Sequence, residues 1–157
     1  MSDRVQQLDI GALITPRLAV APTSLTAGGS GDAAAVTPIG IQRSAIGMPL
    51  SVELAIGYTA TLAATKTLSI GTVKVRHSSD GTTFTDFATF TDPGVVATGP
   101  SGGATVTGQV TDLKVNLAGA KDYVAFVFTP DLSASSTDTA VVTAFAVFGG
   151  ADRLPAA

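Results

Sequence analysis

His77 is the only histidine in the 157-residue chain, and it stands beside Ser78, Ser79 and Asp80. A base, a hydroxyl nucleophile and a carboxylate are the ingredients of acyl-transfer chemistry, which requires them to converge on one point. Here they are consecutive residues of a strand-like run, and consecutive side chains on a strand alternate between its faces. The group reads as a strand end entering a turn, with His77 partly exposed. Asp80, Asp86 and Asp92 recur through the same region. Their spacing matches neither an EF-hand loop nor a nonapeptide calcium repeat, and Asp is a favoured turn residue. Gly28-Gly29-Ser30-Gly31 lacks the Gly-Lys-Ser/Thr ending of a phosphate-binding loop and opens no helix.

Other reactive equipment is scarce. The chain has no Cys, which removes thiolate nucleophiles, zinc–thiolate sites and disulfides together. It has no Trp, and Tyr58 and Tyr123 are its two tyrosines, so an aromatic platform for sugars is not apparent. Glu53 is the only glutamate. The expectation is a non-enzymatic protein with no catalytic residues, no cofactor and no metal.

Nine basic residues against 12 acidic give a net charge of −3, and the basic residues are scattered except for Lys74 and Arg76. Nucleic-acid binding, which needs clustered Lys and Arg to displace counterions, is not expected. Charged residues make up 13% of the chain, about half the usual share. Much of the surface must then be apolar or neutral, as suits a surface covered by other subunits. The opening Met1–Asp9 is polar and lacks the layout of a signal peptide. The longest uncharged run, Pro93 to Thr111, is too rich in Gly and Thr to span a membrane as a helix.

The elements that would position any site are strands. Residues 1–35 read as an extended N-terminal arm, because Pro16 and Pro22 prevent a long helix and Thr26–Asp32 has the composition of a flexible loop. From Val36 the period is two. Leu50, Val52, Leu54, Ile56, Tyr58 and Leu62 share one parity, which predicts a half-buried strand. Leu68 and Ile70 begin another, and the apolar parity then switches to Val73 and Val75 beside Gly71, as a β-bulge would cause. Asp80-Gly81 predicts a hairpin, and Asp92-Pro93-Gly94 a further turn. Residues 123–128 and 140–148 are continuously apolar, which predicts strands covered on both faces. With strands expected near 50–62, 68–77, 122–129 and 139–149, the fold class is all-β. A single β-sandwich would occupy 36–149, jelly-roll or immunoglobulin-like, with 150–157 as a C-terminal docking tail.

Several segments together carry a resemblance. They are Asp9-Ile10 to Ile14-Thr15-Pro16, Val36-Thr37-Pro38-Ile39-Gly40, Ala60–Ser69, Arg76-His77-Ser78-Ser79-Asp80-Gly81-Thr82-Thr83-Phe84, Thr129-Pro130-Asp131 and Gly149–Pro155. This arrangement resembles small capsid decoration (cement) and minor virion proteins of tailed phages and prophages. The resemblance implies a β-sandwich made in the host cytoplasm and clamped on the outer face of an icosahedral shell. Its partners would be the major capsid protein and sister copies in a dimer or trimer, with no role for nucleic acid or membrane. On this reading Leu8, Ile10, Leu13, Ile14, Arg17, Asp152, Arg153 and Leu154 are the expected interface residues. The alternatives are a tail-tube or tail-adaptor protein and a host-surface glycan-binding sandwich.

Overall fold

A computed structural model describes residues 10–134 and 137–151. A one-turn helix, α1 (Ile10–Leu13), leads into nine strands: β1 (Thr15–Thr26), β2 (Ile41–Gln42), β3 (Pro49–Leu62), β4 (Thr67–Ser78), β5 (Thr85–Thr89), β6 (Gly94–Thr98), β7 (Ala104–Asn116), β8 (Tyr123–Leu132) and β9 (Thr139–Ala151). They form two antiparallel sheets. One has the order β1-β9-β3-β7, and the other has β2-β8-β4-β5 with β6 also on β4.

β5 and β6 both run antiparallel to β4, against its second and first halves respectively. They are one strand line with a break. Asp92-Pro93-Gly94 therefore does not reverse the chain, as the turn composition suggested. The break lies opposite the β4 bulge, where the register against β8 slips between Gly71 and Lys74 and Thr72 takes φ 53°. The Asp92 carboxylate accepts the Val73 N–H at 3.1 Å, satisfying a donor that the bulge takes out of the ladder. With β5 and β6 counted together, the strand orders are those of a jelly roll, not of an immunoglobulin sandwich.

The core lies between the sheets. Val52, Leu54 and Ile56 of β3 and Val142, Ala144, Ala146 and Phe148 of β9 meet Leu68, Ile70, Val73 and Val75 of β4 and Phe126 and Phe128 of β8. Phe126 and Phe148 pack edge-to-face at 6.3 Å. The inward parity of β4 changes at the bulge as its sequence predicts.

Three expectations need correction. Residues 15–26 are not part of a separate arm: β1 pairs with β9 along its length and buries Ala19, Val20 and Leu25. Its prolines are compatible with this because β1 is an edge strand, paired with a neighbouring strand on one side only, with register shifts between Leu18 and Thr23. The Gly-rich loop after it is pinned by Asp32, whose carboxylate accepts N–H bonds from Gly28 and Leu132, both at 2.7 Å. The β-sandwich thus begins at 15 and not at 36, and β9 runs to Ala151, past the expected boundary at 149. Finally, β9 is not covered on both faces. Val141 and Phe145 alternate with the buried residues and remain exposed.

Candidate interaction surface at the pole of the chain ends

β1 enters the sheet with Thr15 paired to Phe148, and β9 leaves it with Ala151 paired to Pro49. Both ends of the described chain therefore emerge at one pole of the four-stranded sheet. Leu13, Ile14 and Leu50 are 39%, 40% and 43% exposed at this pole. Ile14 and Leu50, together with Val147 and Gly149, line an open depression of about 590 Å³. Its polar side is made by Ser51, Glu53, Lys114 and Asn116.

The polar side is organised by a second bulge. The β3–β7 register slips between Leu54 and Ile56, and Asp112 on β7 takes φ 66°. The Glu53 carboxylate accepts the Asp112 N–H at 3.1 Å, and Lys114 Nζ donates to Asp112 Oδ1 at 2.8 Å. That bond, with the charges of Asp112 and Glu53, raises the Lys114 pKa, and the same bond with the Lys114 charge lowers that of Asp112. Ser51 donates to the Gly149 carbonyl at 3.1 Å. The pole thus offers apolar side chains to bury and fixed donors and acceptors to orient a partner. Nothing in it resembles a nucleophile with its base.

Of the residues expected at an interface, Leu13 and Ile14 are exposed at this pole. Ile10 opens α1, and Arg17 stands farther along β1, exposed at the sheet edge and donating to the Pro16 carbonyl at 3.1 Å. Leu8, Asp152, Arg153 and Leu154 lie outside the described residues. Leu50 was grouped with the core by parity, yet it is exposed. Glu53, Lys114 and Val147 carried no sequence signal as a group, because the β3–β7–β9 pairings bring them together.

The groups considered for catalysis have local duties. Ser78 is buried, and its hydroxyl donates to Asp80 Oδ1 at 2.6 Å while accepting N–H bonds from Asp80 and Gly81. Asp80 also accepts from Thr82 and Thr83, and these bonds, Ser78 first, hold its carboxyl well below the usual range. His77 packs against Phe87 with ring centroids 5.0 Å apart, and its Nδ1 accepts the Lys121 N–H at 3.3 Å. Burial, and then the Lys121 charge, lower the imidazole's pKa. Asp86 pairs with Lys74 at 2.8 Å and Arg76 at 3.4 Å. Among the described residues, no group of three or more His, Asp or Glu is placed to hold a metal. No helix among them is long and apolar enough to cross a membrane.

No motif in the sequence singles out Arg43. It is almost wholly buried, and its guanidinium donates to the carbonyls of Ala120, Lys121 (3.2 Å) and Pro49 (2.8 Å). Burial lowers its pKa and Asp122 opposes that shift. Asp122 itself receives Gln42, the Ser44 N–H and the Ser44 hydroxyl. This cluster locks the start of β3 to the β7–β8 loop.

No family model matches the chain, and no curated protein matches it. Solved structures do. A chain in the structure of infectious bursal disease virus, Gx strain, superposes with a TM-score of 0.52 at 10% identity, over 90% of this chain and 33% of that one. The PBSX exported protein XepA gives 0.45 at 14% identity, over 88% of this chain and 38% of the other. The CBM22-1 xylan-binding domain of Paenibacillus barcinonensis Xyn10C gives 0.34 at 15% identity, over 89% and 87%. The chain spans only 33% and 38% of the viral and XepA chains, respectively. At these identities the likeness is one of fold: a β-sandwich that the viral structure also contains.

Proposed function

We propose that this chain is a structural protein of a tailed-phage virion, a decoration protein that attaches to the outer face of the capsid shell by the pole where its ends emerge. The observation that carries this reading is the convergence of the chain ends on an exposed apolar pole. The fold is compatible, since jelly rolls serve in viral capsids, although a fold alone does not assign a function.

The energetics specify how attachment works. Burying the exposed 40% or so of Leu13, Ile14 and Leu50 contributes about 2–4 kcal/mol in all. Association costs at least about 4 kcal/mol in lost rigid-body freedom. The pole therefore seats the molecule, and residues 1–9 and 152–157, with Leu8 and Leu154, supply further contacts. Each bound copy stabilises the shell by mass action, since it binds the assembled lattice and not its dispersed subunits.

The test uses particles assembled with and without this chain. Added protein should sediment with the deficient shells and raise their melting temperature, and Leu13→Asp with Leu50→Asp should abolish both effects. Protein that stays in the supernatant, or that locates to the tail, would remove the decoration role. Retention on a glycan array without shell binding would favour the glycan-binding alternative.

A further inference from the structure

We infer that the outer face of the four-stranded sheet takes a second copy of this chain, related by a twofold axis running along the strands. On β9 the outward residues form a ridge, with Val141, Phe145 and Val147, of which Phe145 is 48% exposed. The neighbouring strand β3 presents a furrow, because Ala55 pairs with Phe145 and Gly57 with Thr143. In the order β1-β9-β3-β7 the ridge and the furrow are the two central strands. A twofold axis between them, along the strands, lays each copy's β9 over the other's β3, large side chains over small ones. That is the alternation that lets facing layers interdigitate. A twofold across the strands would set ridge on ridge.

Charge permits this packing. The four strands carry four charged residues: Arg17 on β1, Glu53 on β3, and Asp112 and Lys114 on β7. Arg17 pairs with Ala146, Ala146 with Leu54, and Leu54 with Leu113, and those three are buried, so Arg17 belongs to the inward row at the β1 edge. The remaining charges lie on β3 and β7, where Lys114 neutralises Asp112, and the β9 ridge carries none.

The size is also adequate. Strands of 12 to 14 residues and four strands abreast make a face of roughly 43 Å by 19 Å, about 800 Å². That is the contribution of one partner to a standard interface. The inference deepens the proposed function, because an axis along the strands keeps both poles on the same side, where a pair of copies engages one shell surface bivalently.

The test needs no shell, so its failure is distinct from failure of the decoration role. The full chain is examined by sedimentation equilibrium, with circular dichroism melting of each variant to confirm folding. The wild type should be a dimer. Phe145→Asp should weaken association at least 100-fold. Because the chain has no Cys, Phe145→Cys and Ala55→Cys can be made as separate single-cysteine proteins and mixed with a short bismaleimide. Cross-linking should favour the Phe145→Cys/Ala55→Cys heterodimer over either homodimer. A monomer at all concentrations, a dimer indifferent to Phe145→Asp, or predominant Phe145→Cys homodimers would each overturn the inference. Shell-dependent protection of Phe145→Cys in a protein that is monomeric in solution would assign the face to the capsid instead.

Discussion

The two sheets of this sandwich finish their outer faces in opposite ways. On the five-stranded sheet, Lys74 and Arg76 converge on Asp86, Arg76 also donates to the Phe84 carbonyl, and Ser69 bonds the Asp131 carbonyl. That face spends its polar groups on itself. On the four-stranded sheet, Thr59 pairs with Thr107 and Thr61 with Thr105 through their hydroxyls, while Leu18, Val141 and Phe145 stand exposed. Apart from Ile39 and Val95, the large exposed apolar residues among those described belong to this sheet or to the turn leading into it. A face built of internal ion pairs has little to offer a partner. An apolar face gains from being covered, which is why the proposed assembly uses the four-stranded side and its pole.

The sharpest way to break this comparison lies within one strand. Phe148 and Phe145 both sit on β9, one turned into the core and the other to solvent. Phe148→Ala should lower unfolding stability by about 3–5 kcal/mol, a fall in melting temperature of roughly 10–15 °C. Phe145→Ala, measured at dilution where only monomer is present, should change stability by less than about 0.5 kcal/mol. Equal losses in a denaturant titration would mean that the outer face is not free.

Arg43→Ala comes next. It leaves the carbonyls of Ala120, Lys121 and Pro49 without their donor, and solvent entering the gap recovers part of the loss. A fall of about 2–3 kcal/mol in denaturant stability is expected. Because this cluster also orders the start of β3 beside Leu50, the variant should bind shells more weakly than its stability alone explains.

Acid sensitivity should be seen in the turn and the five-stranded sheet, and at Asp112 on β7. Asp80, Asp86 and Asp92 have folded pKa values below the unfolded value, through the Ser78 hydroxyl, Lys74, and the Thr72 and Val73 N–H groups respectively. A depressed carboxylate stabilises the fold above its unfolded pKa of about 3.9, and that contribution is lost as pH falls through the folded pKa. In urea titrations from pH 6 to pH 2, Asp80→Asn should be less stable than wild type at pH 6, and the gap should narrow as pH falls from about 4 to 2. A constant gap would mean that Asp80 acts by geometry and not by charge.

The smallest effect belongs to His77. Its folded pKa is also depressed, so the unfolded chain takes up the proton first and stability falls slightly as pH drops through about 6.5. His77→Gln should flatten that slope and leave shell binding unchanged. Loss of binding in this variant would place the site on the wrong side of the molecule.

Much of the fold was legible because alternation is a local signal. The extents of β3 and β4 and the bulge at Gly71 follow from residue parity, and β8 and β9 from continuously apolar runs. What could not be read is non-local. Pro16 and Pro22 argue against a central strand but not against an edge, and only pairing with β9 makes 15–26 an edge. The run 140–148 is apolar throughout, and periodicity cannot separate a strand covered on both faces from one whose second face awaits a partner. Of the candidate site, Leu13 and Ile14 were legible as apolar residues ahead of a proline. The Glu53–Asp112–Lys114 arrangement was not, since it depends on the register between β3 and β7.

A subnanometre reconstruction of native particles would show whether the pole of the chain ends seats this molecule on a capsid. It should show the sandwich on the outer shell surface, with the Leu13–Ile14–Leu50 pole against the major capsid protein and the five-stranded sheet facing solvent. Density for this chain on the tail, or on the shell with the five-stranded sheet docked and the pole exposed, would rule out attachment by the pole.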